Sequence, residues 1–246
     1  MGESVKIEDY ISLYNQGLML DQIKPLKNQT YKIFKKSNID IRILHRSLVY
    51  ENPQAFQKIK HFTTNNEYFY MIPVTTIKGT IVGFILRGVL RSDYSTVSRE
   101  FENFEGRVPL MFGFDESFKK FDEKGKCYPI IICEGSKDCL FMKNIYPYTL
   151  AINTSSMGLN AYVLVNISNK FILAYDNDKA GKEGIERDKK ILRSMGAQVV
   201  SLELDKSKDS NGKYLIKDCS DYIKYPSKIK SLIEEVKYKY KKVTSF

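Results

Sequence analysis

The chain has no run approaching the roughly 18 uninterrupted apolar residues of a membrane-spanning helix. Its polar N-terminus lacks the apolar segment of a secretory signal. Both absences predict a cytoplasmic protein that makes no membrane contact. Cysteine and histidine are scarce. The four cysteines, Cys127, Cys133, Cys139 and Cys219, form no CxxC or CxxH pair, and His45 and His61 lie far away in sequence. The expectation is no zinc in this chain. Cys133 and Cys139 read as small, reduced, buried residues of a reducing compartment, and the two histidines as packing or surface residues. The GxxxxGK[ST] loop of an NTP-driven motor is missing, which leaves helicase activity without support. No internal repeat or low-complexity linker interrupts the chain.

What is there is 246 residues, enough for one large domain or two small ones, with ample apolar content for a core. Thirty-nine Lys and Arg against 29 Asp and Glu leave a net charge of +10, which favours an anionic partner such as nucleic acid or a membrane surface. Lysine by itself is read as solvated surface. Charge becomes informative where arginine stands among aromatics.

From Ile7 to about Leu48, apolar residues recur at mixed three and four spacing and predict short helices. Tyr68 to Thr76 and Thr80 to Leu90 are β-branched and aromatic, and Lys78-Gly79 lies between them, which predicts a β-hairpin. The following segment, 91-RSDYSTVSREFENFEGR-107, reads as a polar surface loop in which Arg91, Arg99 and Arg107 are interleaved with Tyr94, Phe101 and Phe104.

The second half alternates strand with helix. Strands are predicted at Pro129 to Cys133, Thr149 to Ile152, Lys170 to Tyr175 and Gln198 to Leu204. Helices are predicted at Lys137 to Ile145 and at Gly181 to Met195, the latter ended by Gly196. That alternation implies an α/β fold, a mainly parallel sheet flanked by helices and preceded by a smaller mixed α+β basic subdomain. An amphipathic helix from Pro226 to about Val243 closes the chain, with Ile229, Leu232, Ile233, Val236 and Tyr240 on one face. The expected domains are 1–125, 126–225 and the helix 226–246.

Acidic residues collect at one address. Glu134 follows the first of these strands, Asp176 and Asp178 follow the third, and the loop after the fourth leads to 217-KDCSD-221. Carboxyl ends of neighbouring parallel strands converge on a crevice, the usual place for ligands in open α/β sheets. Crowded carboxylates repel one another unless a cation neutralises them, and an all-oxygen set suits Mg²⁺ or Mn²⁺. Asp178 suits a helix N-cap equally well.

The strand ending in Glu-Gly, the DxD some forty residues later and the Lys-Asp segment together resemble the TOPRIM domain of primases, topoisomerases and some nucleases. The stretches 131-IICEGSKDCLFM-142 and 174-AYDNDKAGKEG-184 are most similar to the bacterial and phage primase version. The segment 217-KDCSD-221 resembles a KDxNE-like element of phage primases, with Ser220 and Asp221 in place of Asn and Glu. Upstream, 81-IVGFILRGVLRSDYSTVSREF-101 and 109-PLMFGFDES-117 are similar in order to the primase GFGGR segment and its Tyr-containing loop. Ile85 and Leu86 replace two glycines there, while Arg87 matches.

The resemblance implies a primase catalytic core, a nucleotidyltransferase that makes short RNA primers on single-stranded DNA from NTPs. It implies that Glu134, Asp176 and Asp178 are catalytic and hold two Mg²⁺ or Mn²⁺ ions, with Asp218 as a further ligand. Arg87, Arg91, Tyr94, Arg99, Lys137 and Lys179 would contact nucleotide or DNA. Lys182 reads equally as a phosphate contact or a solvated helix face. A replicative helicase and a separate zinc-binding module are the implied protein partners, in a bacterial or phage-infected host cytoplasm. A metal-dependent TOPRIM nuclease and a non-catalytic adaptor that binds nucleic acid or inhibits a host protein are the alternatives. The upstream Arg-Tyr segment weighs against the first, and the intact carboxylates weigh against the second.

Overall fold

A computed structural model describes residues 50–51, 69–88, 94–98, 111–115, 117–118, 128–152 and 158–245. The helices expected between Ile7 and Leu48 lie outside the described residues, as do Arg91 and Arg99. The chain divides into two compact units, Met1–Leu110 and Met111–Phe246.

In the first unit four strands, β1 (Tyr50–Glu51), β2 (Phe69–Thr75), β3 (Ile81–Gly88) and β4 (Tyr94–Ser98), form an antiparallel sheet in chain order. β2 and β3 make the predicted hairpin. Gly79, at a φ of 84°, lets the chain reverse, and the turn closes through Thr76 N–H to the Thr80 carbonyl at 2.9 Å. Val74, Phe84 and Ile85 are buried. β4 corrects the reading of residues 91–107 as a loop throughout. Tyr94-Ser-Thr-Val-Ser98 is a run of aromatic, hydroxyl and β-branched residues suited to a strand, and charged flanks mask it in the sequence. Arg87 and Tyr94 are direct cross-strand partners.

The second unit holds a parallel sheet in the order β6-β5-β7-β8, made by β5 (Ile130–Cys133), β6 (Thr149–Ala151), β7 (Lys170–Ala174) and β8 (Gln198–Ser201). β5 and β7 are central. Ile130 to Cys133 and Phe171 to Leu173 are fully buried, the unbroken apolar composition of strands covered on both faces. Helices α1 (Ser136–Met142), α2 (Gly158–Ile167), α3 (Lys179–Ser194) and α4 (Ile229–Thr244) complete the unit, and Phe112 pairs with Ala151 beside β6. α3 ends where expected, with Gly196 at a φ of 83°. α4 buries Leu232, Val236 and Val243.

α2 has no counterpart in the sequence reading. Its residues, GLNAYVLVNI, are apolar nearly all round and leave no stripe to detect; Tyr162 and Val163 stay exposed. Cys133, Cys139 and Cys219 are buried free thiols. Among the described residues no helix is long and apolar enough to cross a membrane.

Candidate active site

β5 and β7 are hydrogen-bonded neighbours, with Cys133 opposite Ala174. Glu134 and the loop 175–178 therefore leave the sheet side by side. Contact is direct: the Asp176 N–H donates to Glu134 Oε1 at 3.1 Å. In the Asp-Asn-Asp triplet the flanking carboxylates are half-buried while Asn177 is buried. The Asn177 N–H donates to the Lys217 carbonyl at 2.6 Å, and its side-chain amide donates to the Asp205 carbonyl at 3.3 Å. The middle residue thus sews the loop to the segment that returns after β8, and the outer two are left to face the crevice.

Asp178 performs the alternative role as well. Its Oδ1 accepts the Gly181 N–H at 2.9 Å and caps α3. Gly181 is where backbone meets backbone, because a Cβ there would collide with the Asp176 carbonyl. The base of α3 is pinned by a buried contact, Tyr175 hydroxyl donating to Asp188 Oδ2 at 2.9 Å, with Arg187 paired to the same carboxylate.

Lys217 enters this arrangement from 43 residues further along the chain than Ala174; the sequence placed its segment at this address but did not reveal its pairing with both aspartates. Its Nζ stands 3.2 Å from Asp176 Oδ2 and 3.2 Å from Asp178 Oδ2. Burial draws its pKa down, but the two carboxylates more than offset that and leave it raised. Burial and then the charge of Asp176 raise Glu134. Burial raises Asp176 too, against the opposing pull of Lys217. Asp178 is held below the usual carboxylate range by the Gly181 N–H and by Lys217.

Asp218 and Asp221 are drawn into a local capping box. Asp218 Oδ1 accepts the Asp221 N–H at 2.9 Å and the Ser220 hydroxyl at 2.7 Å, and Asp221 Oδ2 accepts the Asp218 N–H at 3.4 Å in return and the Lys217 N–H at 2.9 Å. Asp138, within the stretch 131–142 that resembles the primase Glu-Gly motif, is buried in α1 and accepts the Ser220 N–H at 2.8 Å. Burial, then the neighbouring Asp218, pushes its pKa well up. A contact across 82 residues carries no local signal.

The structure thus brings together Glu134, Asp176 and Asp178, with Asp218 alongside through its influence on Asp176 and Asp138. Lys137 and Lys179 are exposed on α1 and α3, and Lys179 lies 3.8 Å from Glu183. Among the described residues no group of three acidic, histidine or cysteine side chains closes around one point that a metal ion would occupy. The donor chemistry still fits a hard cation. The donors are oxygens only, two of the carboxylates carry raised pKa values at the cost of burial and mutual repulsion, and a positive charge already sits between the Asp pair.

A family model described as Toprim-like matches residues 131–214, a stretch containing Glu134, Asp176 and Asp178. No curated protein sequence matches the chain. Among solved structures, the zinc-binding and RNA polymerase domains of the Aquifex aeolicus primase superpose with a TM-score of 0.67 at 20% identity, covering 94% of this chain and 62% of that one. A DnaG primase catalytic domain bound to single-stranded DNA gives 0.61 at 18% identity, covering 94% and 83%. The primase fragment of the bacteriophage T7 primase-helicase gives 0.57 at 15%, covering 82% and 72%. The chain contains a Toprim-like domain, and its fold is that of bacterial and phage DnaG-type primase catalytic cores.

Proposed function

We propose that this chain is a DNA primase catalytic core that synthesises short RNA primers on single-stranded DNA from NTPs with Mg²⁺ or Mn²⁺. One observation carries the reading: Glu134 and the Asp176/Asp178 pair converge from adjacent strand ends, linked through the Asp176 N–H, inside a Toprim-like domain. In this reading Glu134, Asp176 and Asp178 hold the ions, and Asp218 assists. Bound there, two ions would neutralise the triphosphate and favour displacement of pyrophosphate by the primer 3′-hydroxyl.

The chain's own residues supply position and charge. The Asp176 N–H orients Glu134, the α3 cap fixes Asp178, and Asn177 holds the loop against the 205–217 segment. Arg87, Arg91, Tyr94 and Arg99, within a template- and nucleotide-binding region at 1–125, grip strand phosphates and unpaired bases, while Lys137 and Lys179 serve the catalytic domain at 126–225. A replicative helicase and a separate zinc-binding module are the proposed protein partners, in a bacterial or phage-infected host cytoplasm.

The test incubates the protein with single-stranded DNA, the four NTPs and Mg²⁺ or Mn²⁺, beside Asp176→Asn. The expected result is metal-dependent RNA that the variant does not make. Template degradation would point to a nuclease, and binding without chemistry to an adaptor. No RNA even with a zinc-module partner added would overturn the proposal.

A further inference from the structure

Between β8 and Lys217 the chain makes an excursion that the metal-site reading leaves unused. Lys208 and Tyr214 form an antiparallel bridge across it. Asp209 Oδ1 accepts the N–H groups of Asn211 and Lys213 at 2.8 and 2.9 Å, and Gly212 turns the chain at a φ of 76°. At its base Lys228 Nζ lies 2.7 Å from Asp205 Oδ2 and 3.0 Å from Ser207 Oγ. This hairpin is braced at both ends.

It holds Tyr214 against α3. Lys182 Nζ donates to the Tyr214 hydroxyl at 3.3 Å and stands 4.9 Å from the ring centroid, and Lys208 Nζ stands 5.0 Å from the same centroid. Two ammonium groups are thereby kept within roughly 10 Å of each other, the screening length of 0.1 M salt. Nearby acids are committed elsewhere: Asp205 to Lys228, Asp209 to backbone N–H groups, Asp178 to Lys217 and Glu183 to Lys179. Among the described residues neither Lys182 nor Lys208 has a carboxylate within ion-pair distance. Both lysines and the hydrogen bond hold the phenol below its ordinary pKa.

Two like charges are thus gathered on one aromatic ring with no carboxylate within ion-pair distance among the described residues, and the acidic crevice beside them carries the opposite sign. The two features are joined in sequence. Lys182 lies one helical turn beyond Asp178, and Tyr214 lies three residues before Lys217.

We infer that Lys182, Lys208 and Tyr214 form a phosphate-binding clamp beside the acidic crevice. The ligand is a phosphate group, carried by a nucleic-acid strand or by a nucleoside triphosphate. Lysines supply point charges and rotating N–H donors. The Tyr214 oxygen accepts from Lys182, which leaves its own proton available for donation to a phosphate oxygen. The choice of ligand rests on the proposed primase reading, so the test is a binding measurement in EDTA, where no synthesis occurs.

Labelled oligo(dT) is titrated in EDTA by fluorescence anisotropy, and ATP in EDTA by calorimetry. The variants are Lys182→Ala with Lys208→Ala, Lys182→Arg with Lys208→Arg, Tyr214→Phe, and a control pair on exposed helix positions, Lys190→Ala with Lys230→Ala. The Ala pair at the clamp should weaken its ligand about tenfold, and for DNA it should reduce the slope of log K against log salt by about 1.4, or about 0.7 per phosphate contact. The Arg pair should restore binding, Tyr214→Phe should lose about three- to tenfold for one hydrogen bond to a charged group, and the control should change binding less than about threefold. A loss confined to oligo(dT) identifies a strand phosphate, and one confined to ATP a triphosphate. Equal losses from clamp and control pairs, or unchanged binding of both probes by the clamp pair, overturns the inference. Either result leaves the primer-synthesis test with Asp176→Asn standing by itself.

Discussion

Replacing Lys217 by methionine keeps a flexible stem and removes one charge from between Asp176 and Asp178. The two ion pairs are 3.2 Å long, with the Lys217 side chain 43% exposed and the Asp176 and Asp178 side chains 20% and 40% exposed. A unit-charge pair at such range in water is worth about 1 kcal/mol, and exposed pairs measured by mutation return roughly 0.2–1 kcal/mol each. The lysine also screens the carboxylates from one another, so about 1–2 kcal/mol is the expected loss for both contacts. At roughly 2–4 °C per kcal/mol for a chain of this size, Lys217→Met should melt roughly 2–8 °C lower in EDTA. Metal ion and Lys217 neutralise the same oxygens in our reading. The energy missing from the metal-free variant should therefore reappear as tighter Mn²⁺ binding, by a factor of roughly 5–30. Calorimetric melting in EDTA measures the first half, and titration with Mn²⁺ measures the second. A melting temperature equal to that of the unsubstituted chain, or Mn²⁺ bound no more tightly, refutes the reasoning.

Substitutions at four other positions extend the test. Gly181→Ala drives a methyl group into the Asp176 carbonyl; it should cost about 1–3 kcal/mol or more in denaturant unfolding and abolish primer synthesis. Gly196→Ala, at a positive φ with open space around it, should cost only about 1–2 kcal/mol and leave synthesis intact. Glu134 has a raised folded-state pKa, so its favourable contribution is present below the ordinary value of 4.5 and is lost as pH rises through the folded value. Glu134→Gln should accordingly melt higher than the unsubstituted chain at pH 7 in EDTA, with the advantage vanishing below pH 4.5; an advantage that grows on acidification would contradict this assignment. Asp138→Asn keeps an acceptor for the Ser220 N–H while removing a charge beside Asp218, so it should be as stable as the unsubstituted chain or more so at pH 7. Asp138→Ala strands that N–H and should cost about 1–3 kcal/mol in denaturant unfolding; equal losses for both would show that the hydrogen bond is not what matters.

The legible parts of the fold are those with strong local chemistry. β5 and β7 announce themselves as short apolar runs, α3 by its cap and by Gly196, and α4 by its stripe. Helix α2 and strand β4 escape because one lacks a polar face and the other is bracketed by charges. Asp178 shows how two readings of one residue coexist: its Oδ1 caps α3 while its Oδ2 meets Lys217.

The order of residues along the chain determines that Glu134, Asp176 and Asp178 stand just beyond strand ends, because a buried apolar run must stop where the sheet meets water. It also determines an excess of positive charge. Only tertiary structure decides that β5 and β7 are neighbours, which brings Glu134 to the Asp176 N–H, and that Lys217 rather than another of the many lysines fills the gap between the aspartates. The same holds for Asp138 against Ser220 and for Lys182 against Tyr214. Local propensity and hydrophobic period act over a few residues, whereas these contacts join positions 32 to 82 residues apart through the packing of whole elements.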